Sequence, residues 1–269
     1  MRSCYKPGSN KFFLNLIIGF GFLILTARSF AEQQVTIYVV DNFPPYSFEV
    51  KQKPHGIYVN IIKEIFSRIE GYQAKIEAVP RKRAKEYLRA GRGFAMVPAY
   101  ETQGDGNIYS HALLTERIIT VCTDDVFDEN TRQEWPIDYR GLIVGFRRGE
   151  DTDFIGDNAK SLNQRVRVTP TDNVVSNMRK LLSGRIDCYI TESLSFLFEL
   201  QVLSKEGLYD RNLAAPFTKG TDVMIREARF IYGNNSAQDP ELATQITQIV
   251  SKMRSSGLID DIIASYLRE

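Results

Sequence analysis

The distribution of apolar positions along the first part of the chain predicts three strands and two helices in alternation. Residues 35–40, 75–79 and 94–98 form short, mostly apolar segments, which is typical of buried strands. Between them, apolar residues recur at helical spacing over residues 59–69 and 82–90. A strand–helix–strand–helix–strand order is the pattern of a parallel sheet with helices on its faces.

The same order recurs in the second half of the chain. Residues 142–146, 165–168 and 186–190 are predicted strands, and helical spacing predicts a helix over residues 173–183. A loop over residues 147–153 leads into a weaker helical pattern between the first two of these strands. Two units of the same order indicate two similar α/β lobes, not one long sheet.

The remaining segments connect and complete these units. Residues 118–122 and 229–232 are predicted strands, and residues 240–254 and 258–267 are predicted amphipathic helices. If the C-terminal segments complete the first lobe, the chain crosses between the lobes twice, which produces a hinged pair with a cleft. The predicted organisation is a signal peptide over residues 1–31, a first lobe over 32–123 plus 222–269, and a second lobe over 124–221.

The N-terminus has the layout of a secretory signal peptide. Arg2, Lys6 and Lys11 form a basic segment. A mostly apolar run over residues 12–25 follows, and the small residue Ala31 provides the cleavage position. An uncleaved membrane anchor is the alternative, but the run is shorter than the roughly 20 residues that span a bilayer. We therefore expect cleavage after Ala31 and export to the periplasm.

Composition and charge exclude two broad classes of protein. Apolar residues make up 43% of the 269 residues and charged residues 25%, so the chain can bury a core and is not disordered as a whole. It has 34 basic and 33 acidic residues, and four of the basic ones lie in the expected signal peptide. The exported chain then has 30 basic and 33 acidic residues, a net charge of −3, and lacks the basic excess of a nucleic-acid-binding protein.

Residues of known catalytic and metal motifs are scarce. The chain has no Gly-x-Ser-x-Gly elbow and no phosphate-binding loop, and His55 and His111 are isolated. Two histidines and three cysteines leave few ligands for a metal centre, so no metal, cofactor or enzymatic activity is expected. Cys122 and Cys188 remain in the exported chain, where they form either a disulfide or two buried thiols.

Polar and aromatic residues follow the predicted strands, at the edge where the loops of a parallel sheet converge and ligands bind. They suit a small polar ligand, because an aromatic ring offers a stacking surface, Arg pairs with a carboxylate, and an acidic residue pairs with an ammonium group. Gly149, close to a helix start, can offer backbone N–H groups to an anion. The candidate ligand-binding residues are Asp41, Tyr46, Arg83, Tyr100, Thr102, Arg147, Gly149, Thr152 and Glu192.

Several candidates also have a purely structural interpretation, which the sequence leaves open. Arg83 lies among other basic residues and fits a solvated helix face, while one of Arg81 and Arg83 is expected to face the cleft. Tyr46 fits a core position, Thr102 fits a helix N-cap, and Glu192 fits the N-terminus of a following helix.

Several short segments carry a resemblance to a known family. They are DNFPPYSF at 41–48, GIYVN at 56–60, PRKRA at 80–84 with LRAG at 88–91, AYET at 99–102, VGFRRG at 144–149, LSGRID at 182–187 and GLIDDII at 257–263. In their order and spacing, over about residues 35–268, the chain resembles extracellular solute-binding protein family 3, the periplasmic amino-acid-binding components of ATP-driven (ABC) importers. The resemblance implies an α/β, two-lobed, type II periplasmic-binding-protein-like fold, with a hinge of two chain crossings and a cleft that closes on a ligand.

The resemblance also implies roles for individual residues. Tyr46 would stack on the ligand, and Thr102 and the loop 149–152 would contact its carboxylate. Glu192 would stand where the family often has an Asp that pairs with the α-amino group.

The chain departs from the family pattern at Asp105, where the family usually has the Arg that clamps the carboxylate of the ligand. An acid at that position repels a carboxylate, which puts an ordinary α-amino acid in doubt as the ligand. Arg83, Arg147 and Arg148 are the candidates to replace the missing Arg.

These observations predict a monomeric, exported solute-binding protein that captures a small polar metabolite by lobe closure. A ligand that favours the closed state shifts the protein toward that state. The partner would be a membrane permease or a sensor, and nucleic acid is not expected. Two alternatives stay open: a periplasmic, dehydratase-like enzyme on the same fold, and a relic of the fold without a ligand, which the missing Arg favours.

Overall fold

Strands from both halves of the chain form one sheet. The computed structural model describes residues 1, 32–102, 104–127, 132–147, 167–171, 175–210, 217–234 and 239–268. The strands in these residues are β1 Gln33–Val40, β2 Asn42–Phe43, β3 Ser47–Val50, β4 Lys53–His55, β5 Tyr72–Val79, β6 Ala95–Ala99, β7 Leu114–Thr123, β8 Ile143–Arg147, β9 Arg167–Thr171, β10 Cys188–Glu192 and β11 Phe217–Tyr232. Eight of them are hydrogen-bonded in the order β5-β1-β6-β11-β7-β10-β8-β9, and β2, β3 and β4 form a separate small sheet.

Six helices in the described part of the chain accompany these strands. They are α1 Ile57–Phe66, α2 Arg81–Arg89, α3 Ser176–Leu182, α4 Ser193–Lys205, α5 Pro240–Ser255 and α6 Leu258–Tyr266. Among the residues that the structure describes, no helix has both the length and the apolar character needed to cross a membrane.

The two predicted strand–helix units are confirmed where the structure describes them. In the first unit β1 lies parallel between β5 and β6, so that Ile37 pairs with Ile76 on one side and with Ala95 on the other. In the second unit β8 lies parallel between β10 and β9. The weak helix expected between β8 and β9 lies outside the described residues.

The strands β7 and β11 join the two halves, so the expectation of two separate sheets is wrong. Residues 217–228 of β11 pair antiparallel with β7, and residues 229–232 of the same strand pair antiparallel with β6. A strand of 16 residues spans about 50 Å, which is long enough to take part in both halves. The two-lobed α/β fold is confirmed, and its lobes share two crossing strands.

The first lobe has a core on each face of its sheet. Ile37, Ile61 and Ile246 are fully buried on the face covered by α1, α5 and α6. Burying one such side chain stabilises the fold by about 1.5–3 kcal/mol. On the other face α2 packs through Leu88 against Met96 of β6. The C-terminal helices therefore pack on the first lobe, while the exact lobe boundaries stay a proposal.

The second lobe has two smaller cores, and one of them contains a disulfide. Val121 and Met178 belong to one core, and Ile118 belongs to the other. Cys122 and Cys188 are directly paired residues of β7 and β10, both buried, and they are disulfide-bonded. Of the two alternatives for these cysteines, the structure contains the disulfide.

The segment after β1 forms the small sheet. Within residues 42–55, Phe48 pairs with Asn42 on one side and with His55 on the other, and Pro44 and Pro45 lie in the turn between β2 and β3. The hairpin between β3 and β4 turns at Lys51 and Gln52, which both have positive φ. This sheet holds the chain around Tyr46 in a fixed path.

Candidate functional site

Four charged side chains meet between the two lobes. They come from the crossing strands β7 and β11 and from the carboxyl ends of β8 and β10. Three are buried, the side chain of Arg226 is 11% exposed, and three tyrosines of the first lobe surround them. We call this group the interlobe cluster; it consists of Glu116, Arg147, Glu192, Arg226, Tyr46, Tyr58 and Tyr100.

Arg226 links the two acidic residues of the cluster. It is the cross-strand partner of Glu116, and its Nε donates a hydrogen bond to Glu116 Oε2 at 2.8 Å. Its Nη2 donates to Glu192 Oε1 at 3.0 Å. One guanidinium thus pairs with two carboxylates, and charge-assisted hydrogen bonds of this kind are stronger than neutral ones.

Two tyrosine hydroxyls complete the surroundings of Glu116. Tyr58 on α1 donates to Oε1 at 2.5 Å, and Tyr100, directly after β6, donates to Oε2 at 2.7 Å. The Glu116 side chain is fully buried, so these donors and Arg226 replace the water that it loses on folding. The first lobe and both crossing strands therefore hold this carboxylate in place.

Arg147 and Glu192 face each other on the side of the second lobe. They stand at the carboxyl ends of β8 and β10, which are neighbours in the sheet, and Arg147 Nη2 lies 3.8 Å from Glu192 Oε2. The Arg147 guanidinium also lies 5.3 Å from the centre of the Phe43 ring, within the range of a cation–π contact. A charged group of the second lobe therefore contacts an aromatic ring of the first.

Aromatic rings of the first lobe line the other side of the cluster. The ring centres of Phe43 and Tyr46 are 4.6 Å apart, and those of Tyr46 and Tyr58 are 5.7 Å apart. Gly56 permits this arrangement, because a Cβ atom there would lie only 2.5 Å from the Tyr46 carbonyl oxygen. Its φ of +118° also favours glycine.

The Tyr46 hydroxyl and Glu192 Oε2 are buried polar atoms that make no hydrogen bond to any described residue, and Glu192 Oε2 lies 3.8 Å from Arg147 Nη2. Their side chains are 0% and 1% exposed. Leaving a buried polar group unsatisfied costs about 1–3 kcal/mol, and more when the group is charged. Because nearly all such groups in folded proteins have partners, these two atoms have hydrogen-bonding capacity that a water molecule or a ligand can satisfy.

Burial and the neighbouring carboxylates keep the tyrosines of the cluster neutral. Burial raises the pKa of all three hydroxyls well above the usual value of 10.0, and the charge of Glu116 raises each pKa further. Burial alone would lower the pKa of Arg226, but Glu116 and the other neighbours raise it more. The Tyr58 and Tyr100 hydroxyls therefore donate to Glu116 as neutral phenols, and Arg226 is a permanent cation.

Direct contacts between the lobes surround the interlobe cluster. Ser195 Oγ on α4 donates to the Pro44 carbonyl oxygen at 2.9 Å. Gln201 Nε2, also on α4, donates to the carbonyl oxygen of Leu267, just after α6, at 2.6 Å. These contacts join the two lobes, and the charged side chains of the cluster lie buried between them.

The structure brings together four of the nine candidate residues, which are Tyr46, Tyr100, Arg147 and Glu192. Asp41 is half-buried at the end of β1, where its backbone N–H donates to the Val79 carbonyl, and Thr102 is exposed. Gly149 and Thr152 lie outside the described residues, as does Arg148. In the described part of the chain, no three His, Cys, Asp or Glu side chains are grouped as a metal ion would require.

The contacts distinguish the functional from the structural interpretation for Arg83, Thr102 and Glu192. Arg81, not Arg83, contacts the cluster, because its guanidinium lies 5.5 Å from the Tyr100 ring centre whereas Arg83 is exposed. The residues described after Thr102 form no helix, so Thr102 is not an N-cap. The Glu192 side chain makes no cap hydrogen bond to α4, because it takes part in the interlobe cluster.

Sequence reasoning missed Glu116, Arg226 and Tyr58. A signal existed for the two charged residues, since side chains alternate between the two faces of a strand. Glu116 lies two positions before the buried Ile118, and Arg226 lies two positions before the buried Ala228. Opposite charges at positions that face the buried side of two strands predict a cross-strand pair. Tyr58 gave no comparable signal, because its position on the buried face of α1 is typical of a core residue.

Comparison with known proteins identifies the fold. No family model matches the sequence, and no curated protein matches it at a significant level. One similar solved structure comes from work on glutathione import in Gram-positive bacteria through GshT and the cystine importer TcyBC of Streptococcus mutans. Its TM-score is 0.66 at 17% identity, over 88% of this chain and 95% of that chain.

Two further solved structures have the same fold. A histidine kinase sensor domain with similarity to periplasmic binding proteins has a TM-score of 0.65 at 14% identity, over 88% of this chain and 97% of that chain. An ancestral arginine-binding protein bound to arginine has a TM-score of 0.63 at 16% identity, over 87% and 95%. The architecture is therefore that of the two-lobed periplasmic binding proteins, and the resemblance to family 3 solute-binding proteins is confirmed at the level of the fold.

Proposed function

We propose that this protein is a periplasmic solute-binding protein that captures a small, amino-acid-like metabolite between its lobes for ATP-driven import. The observation that carries the proposal is the pair of buried atoms without hydrogen bonds to described residues, Tyr46 Oη and Glu192 Oε2. After burial and Glu116, the charge of Glu192 also raises the pKa of Tyr46, so the two side chains share one electrostatic environment. A ligand with N–H donors would supply the hydrogen bonds that these atoms do not make within the described residues.

An ammonium group suits this position. It would donate to Glu192 Oε2, where opposite charge strengthens the hydrogen bond. The Arg147 guanidinium, 3.8 Å from that oxygen, offers the complementary group for a carboxylate. The stacked rings of Phe43 and Tyr46 offer a surface for an apolar portion. An α-amino acid carries all three of these features.

The charge of the cluster favours a ligand without net charge. Two guanidinium groups and two carboxylates already balance one another in the interlobe cluster. A ligand with a net charge would bring an uncompensated charge into a buried site, which is costly, whereas a zwitterion leaves the balance unchanged. We therefore propose Arg147 as the replacement for the clamp Arg that the family has where this chain has Asp105.

Ligand entry would require the lobes to separate. Arg147 and Glu192 are 3% and 1% exposed in the closed form, so a solute cannot reach them directly from solvent. Contacts such as the hydrogen bond from Ser195 to Pro44 would break on opening and re-form around the ligand. A ligand that touches both lobes stabilises the closed state and shifts the protein toward it.

The structural relatives and the N-terminus support a role in solute import and export of the protein to the periplasm. One relative comes from work on glutathione import, and another is an arginine-binding protein. The basic segment and apolar run before residue 32 support export to the periplasm. Because a histidine kinase sensor domain has the same fold, delivery to a sensor is the alternative to transport. We propose a monomer in either case.

Thermal-shift measurements on the purified protein test the proposal, with the standard amino acids, polyamines and small carboxylates as probes. Isothermal titration then follows for each compound that raises the Tm. We expect at least one zwitterion to bind one-to-one and to be recovered unchanged by mass spectrometry. Recovery of a converted product would favour the dehydratase-like alternative, and the absence of any shift would contradict a binding function.

Two variants locate the ligand. Tyr46→Phe removes only a hydroxyl, so the free protein should keep its Tm while affinity for the zwitterion falls about tenfold. Glu192→Gln removes the charge partner of the ammonium group and should weaken binding by at least as much. Arg117→Met, an exposed substitution on β7, is the matched control and should leave affinity unchanged. Unchanged affinity in both cluster variants would rule out this site.

A further inference from the structure

A second polar pocket lies on the first lobe, next to the interlobe cluster, with which it shares Tyr100. A pocket of about 230 Å³ lies between α2 and the segment that leads from β6 to β7. Side chains of α2, of this segment and of the end of β11 line it. We call it the α2 pocket; its charged and polar lining includes Arg81, Lys85, Arg89, Tyr100, Asp105 and Asn107.

Three basic side chains of one helix line the α2 pocket. Arg81, Lys85 and Arg89 follow one another at intervals of four residues, which puts them on one face of α2. Like charges at this spacing destabilise a helix, and α2 has no acidic residue in its first turn to offset them. The helix macrodipole favours Arg89 in the last turn but not Arg81 in the first turn, and an anion between the three side chains would offset their mutual repulsion.

The described lining has a positive net charge, because a single acidic side chain accompanies the three cations. That residue, Asp105, accepts hydrogen bonds from the Tyr109 hydroxyl and from the backbone N–H of Asn107. These bonds, the one from Tyr109 first, lower the pKa of Asp105. The carboxylate is thus engaged within its own segment, and Lys85 and Arg89 are exposed on the opposite wall.

The inner end of the pocket is already ordered. Arg81 Nη1 donates to the Pro98 carbonyl oxygen at 3.0 Å, and the guanidinium lies 5.5 Å from the Tyr100 ring centre. The Tyr100 hydroxyl in turn donates to Glu116, so this ring stands between the α2 pocket and the interlobe cluster. Because Lys85 and Arg89 are exposed, a ligand can reach the pocket without any lobe movement.

We propose that the α2 pocket binds a small dianion, as found in phosphorylated and dicarboxylic metabolites. The planar guanidinium of Arg pairs with two oxygens of a phosphate or carboxylate, and the Lys ammonium adds a second positive charge. The Asn107 side chain supplies a further hydrogen-bonding group in the lining. A cavity of about 230 Å³ limits the ligand to a small metabolite. This site adjoins the one proposed between the lobes through Tyr100, but its lining does not include Tyr46, Arg147 or Glu192.

Isothermal titration of the purified protein with inorganic phosphate and with succinate, at constant ionic strength, tests the proposal. We expect saturable one-to-one binding of at least one of these dianions, and the two arms distinguish phosphorylated from dicarboxylic ligands. The double variant Lys85→Ala/Arg89→Ala should weaken binding by at least about tenfold. Lack of saturable binding by both dianions would overturn the proposal.

Matched variants distinguish specific binding in the pocket from nonspecific electrostatic attraction to the basic helix. Lys82→Ala removes a basic residue of the same helix that does not line the pocket, and it should leave dianion affinity unchanged. Equal weakening by Lys82→Ala and Lys85→Ala would overturn the proposal. Glu192→Gln should weaken zwitterion binding but leave dianion binding unchanged. The two proposals can therefore be contradicted independently of each other.

Discussion

The interlobe cluster and the α2 pocket both concentrate charge, but their charges are arranged in opposite ways. In the cluster, two cations and two carboxylates are withdrawn from water, and each lies within 4 Å of an opposite charge. In the pocket three cations accompany one carboxylate, and the outer two, Lys85 and Arg89, are exposed. Burial explains the difference, since an unpaired charge is costly away from water and is tolerated where water and salt screen it.

This difference in burial determines which ligand each site can bind and how much each site contributes to stability. The charges of the cluster are already paired, so a ligand there must bring both signs and must wait for the lobes to open. The charges of the pocket attract a single sign directly from solution. Stability should therefore depend strongly on the cluster and hardly at all on the pocket.

Removal of Arg226 should have the largest effect. Arg226→Met leaves Glu116 and Glu192 buried without their shared cation, and breaking a buried pair in this way costs about 3–5 kcal/mol. Urea unfolding followed by circular dichroism should show this loss in the free energy of unfolding. The double variant Arg226→Met/Glu116→Gln should recover part of it, because one of the uncompensated charges is gone.

A matched surface pair sharpens this prediction. Arg117 on β7 pairs with Asp222 on β11, between the same two strands as Glu116 and Arg226, but its side chain is 51% exposed. Exposed ion pairs contribute about 0–1 kcal/mol, so Arg117→Met should lower the free energy of unfolding by less than about 1 kcal/mol. Equal losses in the free energy of unfolding in Arg117→Met and Arg226→Met would show that burial does not determine how much these ion pairs contribute to stability.

Loss of the Tyr58 hydroxyl should have an intermediate effect. Tyr58→Phe keeps the buried ring and removes the hydrogen bond to Glu116 Oε1, which leaves a buried carboxylate oxygen without that donor. Hydrogen bonds to charged groups contribute about 1.5–3 kcal/mol, and we expect a loss in this range at neutral pH. A loss below about 0.5 kcal/mol in urea unfolding would count against a closed, dry cluster.

The same hydroxyl should make stability fall at alkaline pH. Burial, followed by the charge of Glu116, raises the pKa of Tyr58 well above 10.0, whereas in the unfolded chain the tyrosine ionises near 10.0. Above about pH 10 the unfolded state therefore binds fewer protons than the folded one, and stability falls as pH rises. One such group contributes a slope of about 1.4 kcal/mol per pH unit, so Tyr58→Phe should flatten the alkaline branch by that amount.

Removal of a pocket cation should have the smallest effect. Lys85 is exposed, and its removal eases the repulsion between like charges on α2. Lys85→Ala should change the free energy of unfolding by less than about 0.5 kcal/mol, in the stabilising direction. A clear loss of stability would mean that the basic face of α2 is structural, and the contrast with the cluster would weaken.

The sequence was sufficient to predict most strands and helices, because their apolar periodicity reflects burial directly. It did not predict β2, β3 and β4 or the range of α4, and it predicted only residues 229–232 of β11. Residues 217–228 include Lys219, Asp222 and Arg226, and the pairing with β7 shifts register twice between residues 219 and 224. Each shift interrupts the alternation of inward and outward side chains, so the periodic signal is lost.

The site was predicted in part for a similar physical reason. Tyr46, Tyr100, Arg147 and Glu192 follow strands or lie in a motif, so local pattern indicates their general position. Arg226, which pairs with Glu192 and Glu116, lies within a strand, and its role depends on pairing with a residue more than one hundred positions earlier in the chain. Local pattern also could not separate Arg81 from Arg83, because both are basic residues in the same turn of α2.

The most direct test of the central claim is a crystal structure of the protein with the zwitterion identified by titration. We predict electron density between the lobes, with the ammonium group of the ligand within hydrogen-bond distance of Glu192 Oε2 and its carboxylate on Arg147. Density only outside the interlobe cluster, with the pairing of Glu116, Glu192 and Arg226 unchanged around an empty centre, would contradict the account.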